Sequence, residues 1–206
     1  MPINYTIQAD VIDIQTDTPK DTDVFLVDSN VWFWVTYTSA SITAEPYQTK
    51  HYPAYVDKAL AAGARICRSG LSMEELAHLI EETQWQIYSS YVQKVKAKEY
   101  RHNFPHERTR VVSEVQVAWA QVKTMAEPVN ITIDDATTDA ALYGFQNHVV
   151  GGYDLFILET MTRQNVLQII TDDGDFATVP RINVFTANRN VLNAARAQGR
   201  IVTRST

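Results

Sequence analysis

Apolar and polar positions along this chain fall into short blocks whose lengths predict its elements. DVFLVD at 23–28 is a brief apolar run closed by an acid, and ARICRS at 64–69, VLQIIT at 166–171 and RINVFT at 181–186 repeat the pattern. Runs this short and this apolar read as strands buried on both faces. VNITI at 129–133 is a further short-strand candidate. Helical spacing fills the intervals. PAYVDKALAAG at 53–63 has Pro in its first turn and Gly at its end. From Ser72, Leu76, Leu79 and Ile80, then Ile87, Tyr91 and Val95, follow a helical period up to a break near RHNFPHE. A second long helix over 107–126 sets Val111, Val115, Ala118 and Val122 on one face and stops before Pro128. DDATTDAALYGFQNHVV and YDLFILETMTRQN read as two helices parted by Gly151 and Gly152, and NRNVLNAARAQG as a closing helix.

Two stretches stand apart. The segment that begins SNVWFWV at 29 and runs to Pro53 is polar after its aromatic start and reads as a long surface connection, with Trp32 and Trp34 as packing aromatics at a strand end. Residues 1–22, rich in Asp and Thr with alternating Ile, Tyr and Val, read as an edge strand or a loose arm, accessory to a single domain over 23–206. Short apolar strands alternating with helices require crossover connections. The expected fold is therefore α/β, a central mostly parallel sheet between helical layers, with an extended helical segment.

Composition narrows the function classes. At 206 residues and 45% hydrophobic, the chain can fill one substantial core. A net charge of -6 excludes a general polyanion binder, so any nucleic-acid surface is a local patch. The single cysteine, Cys67, has no intramolecular partner, which fits a reducing interior and a cytoplasmic location. No apolar run approaches the roughly 20 residues of a membrane helix, and the amino terminus lacks the basic start and apolar stretch of a secretion signal.

The distribution of acids points to chemistry. IITDDGDF at 169–176 gathers Asp172, Asp173 and Asp175 behind one strand, and Asp28 stands behind another. Sites in open parallel sheets form beyond the carboxyl ends of the strands, so if these strands are neighbours the acids converge. Glu75, in the first turn of its helix, and Asp154, after the Gly-Gly break, are suggestively placed. Carboxylates held together repel unless a charge cancels theirs, and the fitting partner is a hard divalent cation with oxygen ligands, Mg²⁺ or Mn²⁺. The five histidines and one cysteine lack zinc-ligand spacing. Each acid also has a local structural reading: SMEE at 72–75 matches a capping box, Asp154 a helix N-cap, DDGD a turn, and Asp28 an Asx turn.

In the order VFLVDSNVW, LSMEELAHLIE, GYDLFILETM and IITDDGDF, the chain resembles PIN-domain proteins of the VapC-like ribonuclease kind. Asp28, Asn30 and Val31 meet the opening pattern, Glu75 with Leu76 the second, Asp154 the third, and Thr171, Asp173, Asp175 and Phe176 the fourth, over roughly 23–187. The leader, the connection over 36–52 and the helical segment over 85–125 depart from compact toxin members. The resemblance implies a PIN-like α/β/α sandwich and a metal-dependent endoribonuclease that hydrolyses RNA phosphodiester bonds. Asp28, Glu75, Asp154 and Asp173 would be its catalytic acids, and with Asp175 the ligands of one or two Mg²⁺ or Mn²⁺ ions. Asn30 and Thr171 would support carboxylate orientation, with Asp172 beside them at a position variable in the family. It also implies a possible homodimer and a small antitoxin partner, the chain being the toxin of such a pair.

Contact with RNA is less legible. Lys94 and Lys98, one turn apart with Arg101 nearby, form a candidate basic helical edge, or a solvated face. Arg163, Arg181 and Arg189 are further phosphate-contact candidates. Two other functions compete: a PIN-fold RNA-binding or scaffold protein without turnover, and an unrelated phosphatase with an Asp nucleophile.

Overall fold

The structure, a computed structural model, describes residues 3–204. Its strands are β1 (Asp10–Asp13), β2 (Val24–Val27), β3 (Arg65–Ser69), β4 (Glu127–Val129), β5 (Gln168–Ile170) and β6 (Asn183–Thr186). They form one sheet, ordered β1-β6-β5-β2-β3-β4, in which every pairing is parallel. The helices are α1 (Ser29–Thr36), α2 (Pro46–Ala62), α3 (Ser72–Tyr91), α4 (Ala97–Asn103), α5 (Pro105–Met125), α6 (Asp135–Asn147), α7 (Asp154–Gln164) and α8 (Arg189–Ala197).

Strand pleating explains the layers. Successive side chains point to opposite faces, so Phe25 and Val27 of β2 enter one core with Ile66, Ile170 and Phe185. Leu26 enters the other with Cys67, Ile169 and Val184. The first core is covered by α1, α2, α3 and α5, through Trp32, Tyr55, Leu76 and Val122. The second is covered chiefly by α7, through Ile157, Leu158 and Met161. Helices on both faces of a parallel sheet make the expected α/β/α sandwich.

The stretch expected as a long surface connection is instead two helices. Asp28 caps α1 by accepting the Ser29 N–H at 2.7 Å, and Trp32, which looked like a strand-end aromatic, is fully buried on that helix. Helix α2 begins at Pro46, seven residues before the expected start, behind a Glu45/Gln48 capping box. It carries Pro53 in its interior and ends at Gly63 with φ of 82°. Its buried face is Tyr52, Tyr55, Val56 and Ala59, a helical period hidden because tyrosine is half polar.

The long helix expected from Ser72 stops at Tyr91. Trp85 Nε1 donates to the Val95 carbonyl at 2.9 Å and closes the break before α4. At the amino terminus the edge-strand alternative holds, for β1 pairs with β6. Residues 7–14 are integral rather than accessory: Ile7, Ala9, Val11, Ile12 and Ile14 are all buried. Arg204 ties the other terminus to Asp17 and Asp23 at 2.6 Å each. No helix among the described residues is long and apolar enough to cross a membrane.

Candidate metal centre

From β2 the chain winds outward to β3 and β4, then returns to the far side of β2 to form β5 and β6. The order therefore reverses between β2 and β5, where a parallel sheet opens a crevice beyond its carboxyl ends. Asp28 follows β2 directly, and Thr171 follows β5. Glu75 sits in the first turn of α3, one short link beyond β3, and Asp154 is the first residue of α7. One carboxylate oxygen from each of Asp28, Glu75 and Asp154 lies within 4.8 Å of the others, a group that can hold a metal ion. The donors are all hard oxygens, and neither imidazole nor thiolate joins them, which suits a cation such as Mg²⁺, Mn²⁺ or Ca²⁺ better than zinc.

Hydroxyl groups hold the acids in place. Thr171 Oγ1 donates to Asp28 Oδ2 at 2.6 Å and accepts the Asp173 N–H at 2.9 Å. Asp28 Oδ1 accepts from Ser29 N, and the Ser29 hydroxyl lies 3.2 Å from Asp28 and 2.5 Å from Glu75 Oε2. Ser29 thus joins two of the three acids, a role that nothing in its sequence position announced. Glu75 does not cap its own helix, since the N-cap is Leu71 and carries no side-chain bond. Asp154 likewise lies inside α7 rather than at its cap, and its side chain accepts no hydrogen bond among the described residues.

Electrostatics express the crowding. Burial first, then the charges of Glu75 and Asp173, raise Asp28 to about 6 against the donors Thr171 and Ser29. Burial and the charges of Asp28, Glu75, Asp173 and Asp175 raise Asp154 to about 8. Glu75 is raised by burial and by Glu74 and Asp173. Asp28 is buried, Glu75 and Asp154 are half-buried, and the three stand beside one another, the condition a bound cation relieves.

The acids after β5 divide into separate roles. Asp173 lies outside the three-acid group but close enough to raise each of its members. One of its oxygens accepts the Asp175 N–H at 2.9 Å, so the turn reading and the site reading both hold for it. Asp175 has its own carboxyl raised by burial and by Asp173. Asp172 points elsewhere: its carboxylate accepts from Tyr47 at 2.9 Å, Tyr52 at 2.6 Å and Gln48 at 2.7 Å, which anchors α2 to the end of β5. Tyr5 packs against Gly174, where any added Cβ would collide with its ring, so the amino-terminal segment walls this loop.

Three expectations need correction. Asn30 bonds none of the acids; its Oδ1 is buried with no hydrogen-bond partner. Lys94 lies in the non-helical link between α3 and α4, so it cannot stand one helical turn from Lys98. Arg101 is committed to Glu81 through contacts of 2.7 and 2.9 Å, an acid that also pairs with Arg108 at 3.3 Å. The basic helical edge therefore does not form. Of the other arginines, Arg163 is paired with Glu159 at 2.5 Å.

No family model matches the chain, nor does any curated protein or solved structure.

Proposed function

We propose that this chain is a Mg²⁺- or Mn²⁺-dependent endoribonuclease of the PIN-like kind. The observation that carries the reading is the convergence of Asp28, Glu75 and Asp154, from three separate elements, at the point where the sheet order reverses. RNA as the substrate rests on the resemblance of the four ordered motifs. A bound divalent cation would supply a water of lowered pKa and stabilise charge on the attacked phosphate. Asp28, Glu75 and Asp154 would hold it, with Asp173 and Asp175 adding negative field at the rim. Thr171 and Ser29 keep the Asp28 and Glu75 oxygens aimed.

A phosphatase acting through an Asp nucleophile fits less well. Asp28 is only 3% exposed, which restricts the approach of a phosphorus centre to it, whereas a small cation needs only a remaining lone pair on one of its hydrogen-bonded oxygens.

The test is cleavage of a mixed RNA panel by the full chain with Mg²⁺, Mn²⁺ or EDTA, beside Asp154→Asn and beside DNA of matching sequence. Cutting that requires metal and disappears in the variant supports the reading. Cutting that persists in EDTA, or a wild-type chain that binds no Mn²⁺, sinks it.

A further inference from the structure

Two arginines of the described residues, Arg68 and Arg204, are not largely exposed, and the fold treats them differently. Arg204 meets two carboxylates, Asp17 and Asp23, at 2.6 Å each. Arg68 meets none among the described residues. Its guanidinium instead lies over the Trp119 ring of α5, with the central carbon 5.1 Å from the ring centroid. Nε is buried without a hydrogen-bond partner, while the two Nη groups, also without one among the described residues, keep contact with solvent.

The acids nearest in register and sequence are committed elsewhere. Glu127 is the register partner of Cys67 and so faces the opposite side of the sheet, where it pairs with Arg65 at 3.2 Å. Glu75 is bound to the Ser29 hydroxyl, and Glu114 of α5 stands near Tyr37. Glu74, exposed in the first turn of α3, forms no ion pair among the described residues. A half-buried cation without a counter-charge is costly, and a guanidinium held flat on an aromatic ring presents its fork ready for two oxygens of one anion.

Arg68 also stands at the functional end of the sheet. Cys67 pairs with Leu26, so Arg68 is level with Val27, the residue before Asp28. Its side chain shares the face of Ile66, toward α3 and α5. From this we infer that Arg68, seated on Trp119, is a phosphate contact, which binds the backbone of the polynucleotide on the α5 side of the acidic group. The inference deepens the ribonuclease reading and rests on it for the substrate. Other arginines offer less: Arg101 and Arg163 are paired with acids, and Arg110, Arg181 and Arg189 are exposed, where water already satisfies a guanidinium. A backbone contact carries no base information, so it sets affinity and not sequence choice.

The experiment measures binding of labelled single-stranded RNA, and of DNA of matching sequence, to the full chain by fluorescence anisotropy over a range of salt with Mn²⁺. Asp154→Asn serves as the parent, so that the strand is not cut, and Arg68→Gln, Arg68→Lys and Arg101→Gln are added to it. Arg68→Gln should weaken binding of both strands about tenfold and flatten the slope of log affinity against log salt by about 0.7, the value for one single-strand phosphate. Arg68→Lys should keep the slope and lose part of the affinity, because the charge stays and the fork does not. Arg101→Gln should match the parent. In the chain that retains Asp154, Arg68→Gln should raise KM for RNA with kcat and Mn²⁺ affinity unchanged. An unchanged slope in Arg68→Gln, or a parent that binds neither strand, overturns the phosphate contact even if RNA is cut. Equal losses in Arg68→Gln and Arg68→Lys, together with a fall in Mn²⁺ affinity, mark Arg68 as packing alone and overturn it too. If the slope flattens as expected but wild type cuts no RNA with any metal, the contact stands and the ribonuclease reading falls.

Discussion

The Thr171 hydroxyl donates to Asp28 Oδ2 at 2.6 Å, linking the residue after β5 to the residue after β2. Thr171 Oγ1 itself accepts the Asp173 N–H at 2.9 Å. One hydroxyl thus sets the direction of the buried acid and the start of the acidic loop. It is possible only because β2 and β5 are hydrogen-bonded neighbours, with Val27 beside Ile170.

Asp154→Asn separates function from folding. Asp154 lacks hydrogen-bond donors and is raised to about 8 by burial and four neighbouring acids. Removing its charge should stabilise the metal-free protein by on the order of 1–2 kcal/mol and lower metal-dependent cleavage by at least about 100-fold. Thermal denaturation with EDTA and a cleavage assay check the two halves. A less stable variant would show that Asp154 is not under repulsion.

Asp28 at about 6 and Asp154 at about 8 also predict how stability varies with pH. Unfolded, both would titrate near 4, so between about pH 4 and 8 the metal-free folded protein binds more protons than the unfolded chain. Its stability therefore falls as pH rises through that window. Saturating Mn²⁺ reverses this contribution, because the cation needs the ionised acids. Melting temperatures at pH 5 and pH 8 in EDTA, for wild type minus Asp154→Asn, should show the wild type losing relative stability by several degrees at pH 8, on the scale of about 2–4 °C per kcal/mol. A difference that does not change with pH would refute the raised Asp154.

Asp172 and Asp173 are adjacent but should respond in opposite ways. Asp172→Asn takes the charge from an acceptor of Tyr47, Tyr52 and Gln48, and should cost about 1–3 kcal/mol of stability with little change in Mn²⁺ affinity. Asp173→Asn should preserve stability and weaken Mn²⁺ binding by roughly threefold to tenfold, as a nearby charge rather than a member of the three-acid group. Chemical denaturation and Mn²⁺ titration of both variants decide. Equal loss of Mn²⁺ affinity would place Asp172 in the site.

Gly174→Ala should be destabilising by about 1–3 kcal/mol, because the new methyl meets the Tyr5 ring. Tyr5→Ala should remove most of that penalty, and a double-mutant cycle by urea denaturation measures the coupling. Additive effects would mean that the ring does not wall the loop.

Local pattern alone determined much of this protein. The apolar runs of β2, β3, β5 and β6 declared themselves because strands buried on both faces tolerate little polarity, and their alternation with helices fixed the layered parallel fold. The acids behind those strands were visible for the same reason, since a charge that ends an apolar run cannot continue into the core. Helices α1 and α2 were hidden because Trp34, Tyr47, Tyr52 and Tyr55 mix apolar rings with polar tips, and their period emerges only against the sheet they cover. Tertiary structure alone decided which acids meet. Strand order set Asp28 beside Thr171, and the opposing layers brought Glu75 from α3 and Asp154 from α7 to the same point. It turned Asp172 away toward α2, left Asn30 Oδ1 without a donor, and gave Arg101 to Glu81. A residue's type and spacing set what it can bond. Which partner comes within about 3 Å of it depends on segments distant in sequence, through the packing of the whole chain.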